Sequence, residues 1–302
     1  MKPTVSHSIF GFSTLLAVLL VVSTALADFP MLQLTPPNAV RDGRVEAELI
    51  SQYDALVPGE TAKVGLRLKM DEGWHTYWKN PGDSGLATSI DWDLPEGFEA
   101  SPTLWPAPDY FEVGGLASFG YEGEIVLPLM IKVPEHYEGK RVTLRATADW
   151  LVCKSACEAG SADLSLELPL VSDPDEAVVD PSYELLFAQA ARDLPIPAAS
   201  HVAVGLVKDG RYLLSIYWLA TAISNPKNAT ARFFPEDPLV IAMAAPQKLT
   251  PVGDEGFIIE MIPNLQAPNP PDRLRGVVVY QNGDQKFVYQ IDTPIRDVAD
   301  RE

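Results

Sequence analysis

The chain has 302 residues, room for two ordinary domains of roughly 100–200 residues each. Its 27 prolines, about 9% against roughly 5% in average proteins, argue against long helical bundles, because a proline inside a helix removes a hydrogen bond and clashes with the preceding turn. With 23 basic and 41 acidic residues the formal net charge is −18, which repels phosphate backbones and anionic lipid headgroups and excludes nucleic acid or charge-driven membrane docking as the expected function.

Residues 1–27 carry one charge, Lys2, then an apolar run over 9–22 and the small-residue ending Ala25-Leu26-Ala27. This is the pattern of a secretory signal peptide with an A-x-A cleavage site, and the run is shorter than the roughly 20 residues of a spanning helix. The expectation is cleavage before Asp28 and an exported, soluble mature protein without stable membrane insertion. Export implies an oxidising compartment, where disulfides persist.

From Val45 onward, short segments rich in β-formers alternate with Gly, Pro, Asn and Asp clusters. Residues 64–70, 89–92, 125–131, 142–147 and 164–168 alternate at period two or read as buried apolar runs, which predicts an antiparallel β-sandwich over 28–172. Residues 173–197 read as a linker: Ser172-Asp173-Pro174-Asp175-Glu176 is polar, and 183–192 form a short helix stopped at Leu194-Pro195. A second β-rich region over 198–297 holds predicted strands at 212–219, 239–242, 257–262, 276–280 and 286–291, and 298–302 form a tail. Asn282-Gly283 is the expected hairpin turn between the last two strands. Asn228-Ala229-Thr230 fits the glycosylation pattern. The fold class expected is all-β, two sandwiches joined by a linker with one helix.

The only two cysteines, Cys153 and Cys157, lie between two predicted strands, at a strand end or hairpin tip. Three readings stay open on the residues alone. A structural bridge closing so small a loop would stabilise by roughly 2 kcal/mol, little for a domain of this size. A redox pair is the second. The third is Cu(I) held by the two thiolates of Cys153 and Cys157; a zinc site is disfavoured, since His75, His136 and His201 show no ligand spacing that would complete a tetrahedron. No helix is predicted after Cys157 to activate a thiol by its dipole. Lys154 is the one nearby cation and is opposed by Asp149 and Glu158. Exchange would therefore depend on a partner that positions the thiols.

Several longer motifs occur in order: Gly73-Trp74-His75-Thr76-Tyr77-Trp78-Lys79-Asn80-Pro81-Gly82-Asp83-Ser84-Gly85, Trp105-Pro106-Ala107-Pro108, Gly120-Tyr121-Glu122-Gly123, and Trp150-Leu151-Val152-Cys153 with Cys157. Phe233-Phe234-Pro235 and Ala244-Ala245-Pro246-Gln247 follow. Together they resemble the N-terminal periplasmic domain of the thiol:disulfide interchange protein DsbD, and particularly the ScsB-like (suppressor of copper sensitivity) subgroup. The resemblance spans nearly the whole mature chain. It implies immunoglobulin-like sandwiches and a periplasmic cysteine pair that shuttles between dithiol and disulfide. Electrons would pass from a membrane redox domain to exported thioredoxin-like proteins, with no cofactor. By the same resemblance Cys157 forms the mixed disulfide and Cys153 resolves it.

Two features depart from the family pattern. The best-known DsbD proteins space the pair more widely than C-x-x-x-C. Their chains also continue into a membrane electron-transfer domain, so the expected partners here are a separate membrane protein of DsbD/ScsB type and an exported thioredoxin-like protein.

Residues 112–120 could form a cap over the cysteines, with Leu116, Phe119 and Tyr121 as candidate lids, or an ordinary Gly-containing hairpin loop. The 73–78 segment reads as a packed aromatic strand and His75 as a hydrogen-bonded structural residue. Besides the exchange module, a Cu(I)-handling module and an adaptor with a structural bridge are the alternatives.

Overall fold

The structure, a computed structural model, describes residues 38–196, 201–218, 229–267 and 269–297. The expected signal peptide, Leu219 at the end of one predicted strand, Asn228 of the glycosylation pattern and the 298–302 tail lie outside the described residues.

The first region runs β1 (Val40–Asp42), β2 (Val45–Ser51), β3 (Thr61–Met70), β4 (His75–Gly82), β5 (Ser89–Asp93), β6 (Glu99–Ala100), β7 (Asp109–Val113), β8 (Leu116–Glu122), β9 (Glu124–Lys132), β10 (Arg141–Cys153) and β11 (Cys157–Pro169). Two antiparallel sheets result. One has the order β1-β2-β3-β9-β6; the other has β11-β10-β4-β8-β7, with β5 added beside β10. The period-two pattern is the cause. Along β10, Val142, Leu144, Ala146, Ala148, Trp150 and Val152 are buried while the side chains between them are more exposed, and they meet Ala47, Leu49, Leu66, Leu68, Leu127 and Leu129 of the facing sheet in one core. Trp78 is fully buried in it.

Helix α1 (Glu184–Asp193) is the one α-helix among the described residues and lies within a residue of its predicted span. It packs Phe187 and Ala190 onto Ile50 and Val126. Gly65 leaves room there: a Cβ would lie 2.5 Å from a Val126 methyl and 3.4 Å from the Phe187 ring. Beside this contact Arg67 reaches Glu46 at 2.9 Å, Glu48 at 3.2 Å and Glu124 at 2.5 Å, and the Tyr183 hydroxyl donates to Glu48 at 2.7 Å.

The second region runs β12 (His201–Lys208), β13 (Arg211–Trp218), β14 (Thr230–Pro235), β15 (Lys248–Val252), β16 (Gly256–Met261), β17 (Arg273–Asn282) and β18 (Gln285–Asp297). They form one path, β14-β17-β18-β12-β13-β16-β15. β18 links its two halves: residues 285–294 pair antiparallel with β17, and 295–297 pair parallel with β12. The halves face each other, with Phe257 of β16 stacked on Tyr280 of β17 at 5.0 Å.

Two local expectations are corrected. Residues 239–242 are not a strand. Leu239 has φ +61°, outside the extended range, and Ile241 makes a single bridge to Pro263. The last hairpin turns at Gly283-Asp284, because Asn282 pairs with Gln285. Gly283 has φ +59° and Asp284 does not share a positive φ, so glycine occupies the first central position of a type II′ turn rather than the second of a type I′.

The two regions touch along β4 and the β7–β8 hairpin. Asn80 Nδ2 donates to the Pro235 carbonyl at 2.8 Å, Lys79 pairs with Glu236 at 2.6 Å, and Phe119 meets Phe234 edge-on at 5.0 Å. The Arg232 guanidinium lies 3.8 Å from the Tyr110 ring centre. Gln247 holds Phe233 through both its backbone N–H and carbonyl, which stiffens the strand that makes these contacts.

Candidate functional site

β10 and β11 are a continuous antiparallel hairpin from Arg141↔Pro169 to Cys153↔Cys157. The cysteines are thus the last cross-strand pair before a three-residue loop, 154–156. Their Cα atoms are 4.1 Å apart and their sulfurs are joined in a disulfide. The two partners have different surroundings for a topological reason. Cys153 lies on β10, whose other edge is covered by β4, with His75 as its lateral partner; it is 4% exposed. Cys157 lies on β11, the outermost strand of its sheet, and is exposed.

The register places Glu122, His75, Cys153 and Cys157 in one row across β8, β4, β10 and β11. Side chains of directly opposed residues share a sheet face, and Tyr77, two residues along β4, shares it too. Its hydroxyl donates to Cys153 Sγ at 2.9 Å. Burial pushes the Tyr77 hydroxyl pKa upward, against an opposing hydrogen bond from Ser118, so it remains a proton donor. His75, Tyr77, Ser118 and Leu116 line a cleft of about 120 Å³ with Ser84, both cysteines and the loop residues.

The motif residues build this cleft. The turn after β4 folds back over the Tyr77 ring: Gly85 has φ +116°, and a Cβ there would lie 2.2 Å from the ring. Asp83 fastens the turn to β8 through Ala117, whose N–H it accepts and whose carbonyl it meets at 2.8 Å each. Gly120 lets β8 close on β4, since a Cβ would sit 1.8 Å from the Thr76 carbonyl oxygen. Lys154 Nζ is turned toward the Glu72 carbonyl at 3.0 Å.

Of the three lid candidates, the structure brings only Leu116 to the cleft, 48% exposed at its edge. Phe119 and Tyr121 are corrected. Phe119 is fully buried against Phe234, and Tyr121 is buried with its hydroxyl donating to the Pro106 carbonyl at 2.7 Å, so both anchor the β7–β8 hairpin from beneath. The hairpin turn itself is Gly114-Gly115, both at positive φ.

His75 is also corrected. It is 5% exposed, its Nε2 has no hydrogen-bond partner, and its ring is held by Phe111, stacked at 4.8 Å, and by the edge of Tyr77 at 5.3 Å. Sequence reasoning missed the roles of Phe111 and Tyr77. The signal for Tyr77 was its spacing from His75, but it points at sulfur only once β4 is known to lie beside β10.

Burial lowers the His75 pKa from 6.5, and Glu122 opposes that shift only in part. The unfolded chain therefore binds a proton that the folded one refuses. Stability from this group is present above pH 6.5 and is lost as pH falls through and below that value. Replacing His75 by Phe should flatten the slope of unfolding free energy between about pH 8 and about pH 5. Urea titrations of both proteins across that range check it; equal slopes would show that His75 is not the group responsible.

Residues 45–169 match the family model for the N-terminal region of thiol:disulfide interchange protein DsbD. Among solved structures, the N-terminal periplasmic domain of ScsB from Proteus mirabilis superposes with a TM-score of 0.59 at 16% identity, covering 85% of this chain and 97% of that one. A protein of unknown function from Porphyromonas gingivalis W83 covers 83% of this chain and 100% of its own, at 10% identity and a TM-score of 0.25, too low to carry an argument. No curated protein matches the sequence.

Proposed function

We propose, on the premise that residues 45–169 are a DsbD/ScsB-like N-terminal domain with an immunoglobulin-like sandwich, that this protein is an exported thiol–disulfide exchange module. Cys153 and Cys157 carry two electrons between a membrane redox protein of DsbD/ScsB type and exported thioredoxin-like proteins in the periplasm. The observation that carries this reading is the asymmetry of the pair: an exposed Cys157 on an edge strand, bonded to a buried Cys153 at the rim of a cleft. A partner thiolate attacks Cys157 Sγ, the S–S bond breaks, and its electron pair leaves on Cys153. A second partner thiolate then attacks the partner sulfur of the mixed disulfide and releases reduced Cys157.

The proposed division is a cysteine-bearing sandwich at 28–172, a linker at 173–197 and a second sandwich at 198–297 that acts as scaffold. Its contacts through Asn80, Lys79, Phe119 and Tyr110 support this role, since they fall on the strands that frame the cleft. Leu116 on the β7–β8 hairpin is the proposed cover, displaced when a partner docks.

The test is a redox titration with alkylation and mass spectrometry of the full chain. The expected midpoint lies above about −300 mV, the region below which structural bridges fall, and near those of thioredoxin-like proteins. A bridge that stays closed at a glutathione poise would make it a structural staple and end this reading.

A further inference from the structure

We propose that Tyr77 is the hydrogen-bond donor to the Cys153 thiolate released when a partner attacks Cys157, and that it thereby fixes which of the two sulfurs is attacked. The inference rests on the exchange reading above and adds a residue to it.

The geometry is specific. The Tyr77 hydroxyl is 2.9 Å from Cys153 Sγ, and both residues are buried. The ring cannot swing away freely, because the Gly85 backbone lies over it at a distance that admits no side chain. A donor held in place before the reaction costs no reorganisation when charge develops on its acceptor.

The need for such a donor follows from the step itself. As the partner sulfur bonds to Cys157 Sγ, the S–S electron pair and a full negative charge move to Cys153 Sγ, and no proton has yet been transferred. A thiolate in so buried a position is disfavoured unless it is hydrogen-bonded. The surrounding groups give little other help. Lys154 is turned to the Glu72 carbonyl, the neighbours Glu122 and Glu158 are acidic side chains that offer no positive charge, and burial lowers the His75 pKa and so disfavours its charged form. Attack in the opposite sense would have to reach the buried Cys153 and would release the thiolate at Cys157, which among the described residues has no counterpart to the Tyr77 contact. Access and leaving-group stabilisation therefore select the same direction, and a lower-energy leaving thiolate leaves faster.

The experiment compares the reduced single-cysteine variants Cys157→Ala and Cys153→Ala, following thiolate ultraviolet absorbance against pH, and repeats the first with Tyr77→Phe. The Cys153 thiol is expected to ionise at lower pH than the Cys157 thiol in spite of its burial, and Y77F should lower its ionisation constant about tenfold, the worth of one hydrogen bond to a charged group. In the full chain with both cysteines, glutathione should be found on Cys157 by mass spectrometry, with an attack rate about tenfold lower in Y77F. An unchanged ionisation constant and rate in Y77F would overturn the proposal while leaving exchange intact. Should Y77F fail to fold, the two single-cysteine titrations decide: a Cys153 thiol that ionises at higher pH than Cys157 overturns it. A wild-type disulfide inert to glutathione would instead defeat the exchange reading itself.

Discussion

Cys157→Ser is expected to reduce exchange with a thioredoxin-like disulfide to background, whereas Cys153→Ser is expected to leave a protein that captures its partner and does not release it. The difference comes from the sheet edge. Cys157 belongs to the outermost strand and is exposed, so a thiol attached to another protein can reach it; Cys153 is buried, with β4 paired along its other edge. With Cys157 alone, a mixed disulfide forms but has no neighbouring thiol to resolve it. With Cys153 alone, the sulfur that could react lies under the cleft. Non-reducing electrophoresis of each variant incubated with an exported thioredoxin-like protein that lacks its own resolving cysteine and carries thionitrobenzoate in disulfide linkage on the remaining one, so that each capture expels one thionitrobenzoate, measures both outcomes. Equal capture by the two variants would mean that burial in the resting fold does not govern access, and the assignment of Cys157 as the attacked sulfur would fall.

Much of the scaffold around this chemistry was legible in the sequence because it depends on local periodicity. The predicted segments at 64–70, 89–92, 125–131, 142–147 and 164–168 fall inside β3, β5, β9, β10 and β11, and the helix stops where Leu194-Pro195 requires. What stayed hidden depends on which strands become neighbours. Nothing local says that Tyr77 reaches sulfur, or that Phe119 and Tyr121 point into the core instead of over the cysteines. Both follow from β4 lying between β8 and β10. A different kind of miss is β12, paired with β13 around Asp209-Gly210, both at positive φ. There an Asp-Gly turn signal was present, while β12 itself, His-Val-Ala-Val-Gly-Leu-Val-Lys, has no clean alternation of burial.

Arg67→Ala is expected to destabilise the fold by about 3–5 kcal/mol, the range for stripping one partner from a buried ion pair. Arg67 and Glu48 are both buried, and one guanidinium faces three carboxylates, Glu46, Glu48 and Glu124. Burial raises the Glu48 pKa above 4.5 even with Arg67 and the Tyr183 hydroxyl pulling it down, so removing Arg67 should raise it further. The sign of the pH effect follows. A carboxyl whose folded pKa is raised contributes stability that is present below its unfolded pKa and lost as pH rises through the folded one. The variant should therefore recover stability as the medium is acidified through the raised Glu48 pKa toward 4.5, and Glu48→Gln in the same chain should restore part of it at neutral pH. The consequence reaches the site. Tyr183 bonds Glu48 directly before α1, and the last residue of α1, Asp193, accepts the Ala107 N–H of the Trp105-Pro106-Ala107-Pro108 motif that holds Tyr121. Loosening this cluster should therefore also loosen the β7–β8 hairpin, read as faster amide exchange at residues 116–121. Urea unfolding of the wild type, the single and the double variant at neutral and acidic pH measures the energetic claim. A loss below about 1 kcal/mol without pH dependence, the level of an exposed pair, would show that solvent already screens this cluster.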